Sequence, residues 1–341
     1  MFPRGPRPAV RKRTMPKAIQ RILVGLDGSE LAEIALPHAV AMARAFETEL
    51  VLVRVLESKG RAGQPVDAVA WRLARAEAHT YLRAHAARLT KRGLSVRTVL
   101  REGDAASELL GFMEHDEIGL LVIGSHGVGG ATAFALCGTV QKVLAGAGRS
   151  VLLVRCVDGK PPATGDGPIY RRVLAAVDGS QRAEWALCLA ATVARSQGAE
   201  LVVLSVAPIP EMVRRPPLGA RVQRQVDELA ALNRRWAEEY VAGMKTRLAA
   251  PDLEVRTVVC SSSRIRHELD LQLREAAPDL VVVSAHGAGG SAPWPFGSVS
   301  HHLLHHGSAP LLVFQDQKAG PFASEATELA ADDSRSPRRG R

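Results

Sequence analysis

One pattern occurs twice in this chain and restricts its fold more than any other feature. Leu120 to Val140 reads LLVIGSHGVGGATAFALCGTV, and Leu280 to Val299 reads LVVVSAHGAGGSAPWPFGSV. In each copy an apolar run of strand length ends in a glycine-rich loop, and a further glycine followed by a hydroxyl residue opens a helical pattern. Short, wholly apolar strands of this kind belong to parallel sheets covered on both faces. Bare loop amides, the positive end of a helix and a hydroxyl are together the parts of an anion site. Gly124, Gly127, Gly130, Gly138 and Thr139 are therefore candidate binding positions in the first copy, and Gly287, Gly290, Gly297 and Ser298 in the second.

The repeat extends well beyond these loops. RILVGLDGS, from Arg21 to Ser29, recurs as RVLAAVDGS from Arg172 to Ser180: an apolar strand, an acid, a glycine and a good helix N-cap. In the first copy we expect a helix over Leu31 to Phe46, with Pro37 confined to its first turns or kinking it. A strand over Leu50–Leu56, a long helix over Val66–Lys91 closed by Gly93, a strand over Ser95–Leu100 and a helix over Ala105–Glu114 follow. Leu120–Ile123 and Val151–Val154 complete five strands, and helices between strands argue for a right-handed parallel α/β sheet. The Pro- and Gly-rich run Asp158–Pro168 reads as a linker, and 341 residues leave room for roughly two domains of about 150 residues. We place the domains at 19–157 and 171–316, between a basic leader (1–18) and a polar tail (317–341). The interval from aspartate to glycine loop is longer in the second copy, and the extra chain is placed at Ala207–Leu218, after that half's second strand. The fifth strands, Ser150–Arg155 and Pro310–Phe314, are apolar and would be exposed edges if left alone, so we expect them to pair within the chain or in a homodimer.

Several function classes are excluded or weakened. No apolar run approaches the roughly 18 residues of a membrane span, and the basic N-terminus has no apolar segment behind it, so we expect a soluble, cytoplasmic protein without membrane partners. Its 4 cysteines are scattered without a C-x-x-C pair, which suits a reducing compartment. The net charge of +9 is concentrated in the leader and tail, and aromatics are 4%, so nucleic acid is not the expected partner. There is no G-x-x-x-x-G-K-[ST] lysine for β and γ phosphates, and no G-x-G-x-x-G follows the first strand. Ser125-His126 suggests a nucleophile and base, but neighbours in a loop are expected to point apart, and no nucleophile elbow is present. His301, His302, His305 and His306 form two i, i+4 pairs with no acid or cysteine near in sequence to complete a metal set. No residue is assigned a catalytic role, and no metal ligand is assigned.

The two halves resemble the universal stress protein family arranged in tandem. The resemblance rests on Asp-Gly-Ser after the first strand, on the alternating five-strand pattern and on the glycine stretch after strand four, each present twice. It implies two tandem open five-stranded parallel sheets with helices on both faces, a Rossmann-like fold of the adenine nucleotide α-hydrolase kind. Nucleotide-binding members carry G-x2-G-x9-G-[ST]. Here Gly124-x2-Gly127 is intact but ten residues precede Gly138-Thr139, whereas Gly287-x9-Gly297-Ser298 keeps the spacing and has Ser284 for the first glycine. On this ground the second site ranks slightly above the first. The resemblance further implies ATP, with or without Mg2+, as the ligand, held by Asp27 or Asp178 through ribose or adenine, by the backbone at Val55 or Val206 against adenine, and by the glycine loops at the phosphates. Two functional classes remain: a nucleotide-dependent stress-response regulator with at most slow ATP hydrolysis, and a nucleotide-free scaffold or protein-binding module of the same fold.

Overall fold

The computed structural model describes residues 19–57, 67–126, 136–155, 169–210, 219–288 and 295–316. The leader, the run Asp158–Pro168 and the tail lie outside the described residues. In the first half the elements are β1 (Arg21–Leu26), α1 (Glu30–Glu33), α2 (Ala35–Phe46), β2 (Glu49–Leu56), α3 (Ala68–Lys91), β3 (Val96–Glu102), α4 (Ala105–His115), β4 (Leu120–Gly124), α5 (Gly138–Gly146) and β5 (Ser150–Val154). The second half repeats them as β6 (Arg172–Ala176), α6 (Gln181–Gln197), β7 (Glu200–Pro208), α7 (Ala220–Leu248), β8 (Val255–Ser262), α8 (Ile265–Ala276), β9 (Leu280–Ser284), α9 (Ser298–His306) and β10 (Leu311–Phe314).

Pro37 explains the one difference in helix count. The first copy has two helices, α1 and α2, meeting at Ile34, where the sequence suggests one. A proline cannot donate to the carbonyl four residues back and its ring crowds that carbonyl, so the helix that would bond Pro37 to Glu33 is interrupted there. In the second copy Cys188 occupies the corresponding position, and α6 runs unbroken for 17 residues. The extra chain of the second half also begins later than expected, because Ala207 and Pro208 extend β7. Residues 211–218 lie outside the described residues.

The sheet differs from two separate five-stranded sheets. Its order is β3-β2-β1-β4-β5-β10-β9-β6-β7-β8, one continuous sheet of ten strands. Each half is parallel within itself, and the sheet is mixed because β5 and β10 pair antiparallel, with Leu311 opposite Leu153, Leu312 opposite Leu152 and Val313 opposite Val151. The physical reason lies in strands that are apolar on both faces: every residue of β5 and β10 is buried, which a free edge would not permit. The two faces carry two apolar cores, and each core draws residues from both halves. One includes Leu50, Leu152, Leu201 and Leu312; the other includes Val53, Leu153, Val202 and Val313.

Beside this seam, His38 of α2 and Tyr170, just before β6, share a buried hydrogen bond of 2.7 Å between Nδ1 and the phenol oxygen. Burial pushes the His38 imidazole down from 6.5 to about 4, because a charged ring has lost its water. In the unfolded chain the ring takes up a proton below its ordinary value, whereas in the folded chain it does so only below about 4. The stability supplied by the neutral ring is therefore complete above pH 6.5 and is lost as pH falls toward 4, on the order of 3 kcal/mol across that window. Urea titrations at pH 7 and pH 4.5 are expected to show a larger loss for the parent than for His38→Gln; equal losses would remove His38 as the cause.

Candidate functional site

Strand order within the first half reverses at β1, with β2 on one side and β4 on the other. In open α/β sheets the crevice at such a reversal, beyond the carboxyl ends of the strands, is where ligands are held. A cleft of about 410 Å³ opens there, within the several-hundred-Å³ range of small-molecule sites. Asp27 at the end of β1, Arg54, Val55 and Glu57 around the end of β2, Gly124 and His126 at and after β4, and Thr139 of α5 all line it.

The local chemistry explains how each group is held. Asp27 Oδ1 accepts from the Ser29 N–H at 2.9 Å and from the Ser29 hydroxyl at 2.6 Å. That hydroxyl in turn accepts from the Ala32 N–H, capping α1. The intervening Gly28 has φ of 91°, a conformation in which a side chain would be strained. Gly124 serves packing: a Cβ there would come 3.0 Å from the Leu31 carbonyl oxygen, so the glycine allows β4 to pass close beneath α1. At Gly138 a Cβ would meet nothing within 4 Å, so space does not require that glycine. Glu57 Oε1 accepts from Ala105 N–H and ties the end of β2 to the start of α4.

Two of the sequence-based expectations change here. Ser125 and His126 do not point apart: the Ser125 hydroxyl and His126 Nδ1 lie 2.9 Å from each other, because the chain bends at Ser125 and leaves both side chains on one side. Ser125 is only 1% exposed, so the bond satisfies a buried hydroxyl and presents no nucleophile. The histidine face does find an acid: Asp270 of α8 reaches His302 Nε2 at 2.9 Å, a contact made by helix packing across 32 residues of sequence. Among the described residues no group of three or more His, Cys, Asp and Glu could hold a metal ion. Gly127, Gly130 and Gly290 lie outside the described residues.

At the corresponding end of the second half Asp178 Oδ1 accepts from the Ser180 N–H at 3.0 Å, as Asp27 does from Ser29, and its Oδ2 accepts from the Ala288 N–H at 2.7 Å; Val128, which matches Ala288 in the first half, lies outside the described residues. The carboxylate thus lies over the loop after β9, and a Cβ on Gly287 would overlap it. Gly297 is the N-cap of α9 and Ser298 its first residue, while Val206 pairs with Cys260 on the neighbouring β8.

A second, matched layer surrounds the two aspartates, and motif reading alone missed it. Tyr81 of α3 lies beside Glu33, Arg54 and Asp27; Tyr240 of α7 lies beside Glu184 and Asp178. Burial first, and the neighbouring carboxylates second, push both phenols above their ordinary range. Each tyrosine supports a planar group over the glycine that follows the aspartate. In the first half the Arg54 guanidinium lies 5.2 Å from the Tyr81 ring centroid and covers Gly28. In the second the Trp236 indole stacks on Tyr240 at 5.4 Å with 2° between planes and covers Gly179. The available signal was Arg54 itself, a charge set within the apolar run Leu50–Leu56.

Two parallel five-stranded halves, each with its reversal of strand order at the first strand, joined into one mixed sheet along a single chain, define a tandem doubly wound α/β protein. The chain belongs to the universal stress protein family, whose model matches residues 18–155 and again 169–315. Universal stress protein Rv2005c of Mycobacterium tuberculosis is 29% identical over 309 residues, spanning 87% of this chain and 98% of that protein. Universal stress protein MJ0531 of Methanocaldococcus jannaschii is 26% identical over 140 residues, 40% of this chain and 82% of its own length. The crystal structure of a universal stress protein from Archaeoglobus fulgidus superposes with a TM-score of 0.59 at 19% identity, covering 88% of this chain and 98% of that one. No helix among the described residues is long and apolar enough to cross a membrane.

Proposed function

We propose that the first half binds an adenine nucleotide, with ATP as the ligand its family suggests, and that occupancy of the cleft is a regulatory state in a stress response. The observation that carries this reading is the convergence of Asp27, the Val55 strand end and the start of α5 with Thr139 on one cleft. Asp27 accepts from ribose hydroxyls, the backbone edge at Val55 meets the base, and the Thr139 hydroxyl with the first amides of α5 donates to phosphate. The residues fit such a ligand in volume and polarity. Mg2+ would be carried mainly by the phosphates, since the described lining residues include only Asp27 and Glu57 as carboxylates. Neither a lysine fixed on the β and γ phosphates nor a placed base is found among the described lining residues, so little favours a transition state over bound nucleotide.

The Trp236 indole over Gly179 supports a different role for the second half. It stands where the first half has the Arg54 guanidinium, and it stacks on Tyr240. A nucleotide there would have to displace it, so the second half acts as the scaffold that completes the sheet. This ordering of the halves is the opposite of the one that loop spacing suggests.

Protein purified without added nucleotide and then denatured is expected to release adenine nucleotide, and calorimetry on stripped protein to show about one ATP per chain. Protein that is empty on purification and silent in calorimetry would refute the reading.

A further inference from the structure

The Arg54 side chain is at the cleft but is not required by the fold. Among the described residues it makes no ion pair; its guanidinium lies on the face of Tyr81 and over Gly28, next to Asp27. Cation–π contact on a half-exposed ring is a weak tether, worth about 0.5–1 kcal/mol. An arginine that lies over a ring and lines the cleft retains donors for a planar or tetrahedral anion, which it binds through two parallel hydrogen bonds.

Its position decides which anion. In the strand order β3-β2-β1-β4-β5, Asp27 ends the central β1. The α5 terminus with Thr139 follows β4 on one side, and Arg54 lies on β2 at the other. If the 5′-phosphates are held at α5 and the ribose at Asp27, the group next to Arg54 is the hydroxyl edge of the ribose. In dinucleotide-binding doubly wound sheets the ribose edge is read either by an acid on its hydroxyls or by an arginine that accommodates a phosphate there, and this cleft brings one of each, Asp27 and Arg54, to that edge. The second half offers a contrast within the same chain: Ser205 occupies the position matching Arg54, paired along β7 with Val259, and the equivalent glycine is covered by the uncharged Trp236.

We propose that Arg54 is a specificity-determining residue of the first half and that its ligand class is adenine nucleotides carrying a 2′- or 3′-phosphate on the ribose. This rests on the nucleotide reading of the same cleft and sharpens it. The geometry gives Arg54 a charge-assisted, two-pronged contact made only with such ligands, while Asp27 keeps whichever ribose hydroxyl is unmodified.

Calorimetry on the full chain with ADP, adenosine 3′,5′-bisphosphate and adenosine 2′,5′-bisphosphate tests this with ligands of equal phosphate number. One of the two bisphosphates is expected to bind roughly tenfold or more tighter than ADP, as a charge-assisted pair of hydrogen bonds implies. In Arg54→Gln the ratio to ADP should collapse toward one; in Arg54→Lys, which keeps the charge and loses the fork, it should fall partway. Both changes are at a partly exposed side chain, and thermal unfolding of each variant establishes that it is folded. Equal binding of all three nucleotides by the parent would overturn the proposal and leave the nucleotide reading intact. Absence of binding by all three, and by ATP, would overturn both. A preference that survives in Arg54→Gln would also overturn it, since another group would then be reading the phosphate.

Discussion

Replacing Leu152 with alanine is expected to lower the stability of the whole chain by about 2–5 kcal/mol, and Leu312→Ala by a similar amount. Both side chains are fully buried and face each other directly across the antiparallel junction of β5 and β10. Removing either leaves a cavity at the one place where the parallel sheets of the two halves become a single sheet. The cavity cannot collapse easily, because strands flank it, helices cover it and the apolar core there draws on both halves. In urea unfolding the midpoint should fall for the far-ultraviolet signal of the whole chain, without release of one half before the other. The double variant should depart from the sum of the singles by about 0.5–3 kcal/mol, as contacting residues do. A loss below about 0.5 kcal/mol for either single change, or perfect additivity of the pair, would show that the seam is not packed in this way.

The second large effect separates the two aspartates. Asp27→Ala is expected to weaken adenine nucleotide binding roughly ten- to hundredfold, the worth of one or two hydrogen bonds to a charged group, together with a loss of stability of about 1–3 kcal/mol because the Ser29 amide and hydroxyl lose their acceptor. Asp178→Ala should cost stability alone. Its carboxylate holds the Ser180 and Ala288 amides, and removing it leaves donors beneath Trp236 without a partner, at a cost of about 1–3 kcal/mol in stability. Nucleotide affinity of the first half, on the other side of the sheet junction, should hardly move. Calorimetry and thermal unfolding on the same three preparations give both readouts. If Asp178→Ala abolishes binding and Asp27→Ala does not, the assignment of the cleft to the first half is wrong.

Arg54, Tyr81 and Glu33 come together from β2, α3 and α1, and no motif links them. Asp27 and Thr139 could be named in advance because each ends or begins a regular element, and such ends carry their own signals: an acid and glycine after an apolar strand, a glycine-hydroxyl step before a helix. Arg54 is in mid-pattern on a strand, and its significance depends on which helix crosses above it. The same holds for His302, whose acid partner Asp270 arrives on a neighbouring helix.

The sequence by itself determined the two α/β halves, their strand and helix order, and the strand ends where a ligand could be held. Those properties are written in local terms: apolar runs of strand length, caps, and breaks at Pro37 and the glycines, each repeated at matching positions. Only the tertiary structure decided that ten strands form one sheet, that Arg54 covers one glycine and Trp236 the other, and that the two clefts therefore differ. These outcomes depend on contacts between residues distant in the chain, where close packing of apolar strand faces and the reach of single polar side chains choose among arrangements that the local pattern leaves equal.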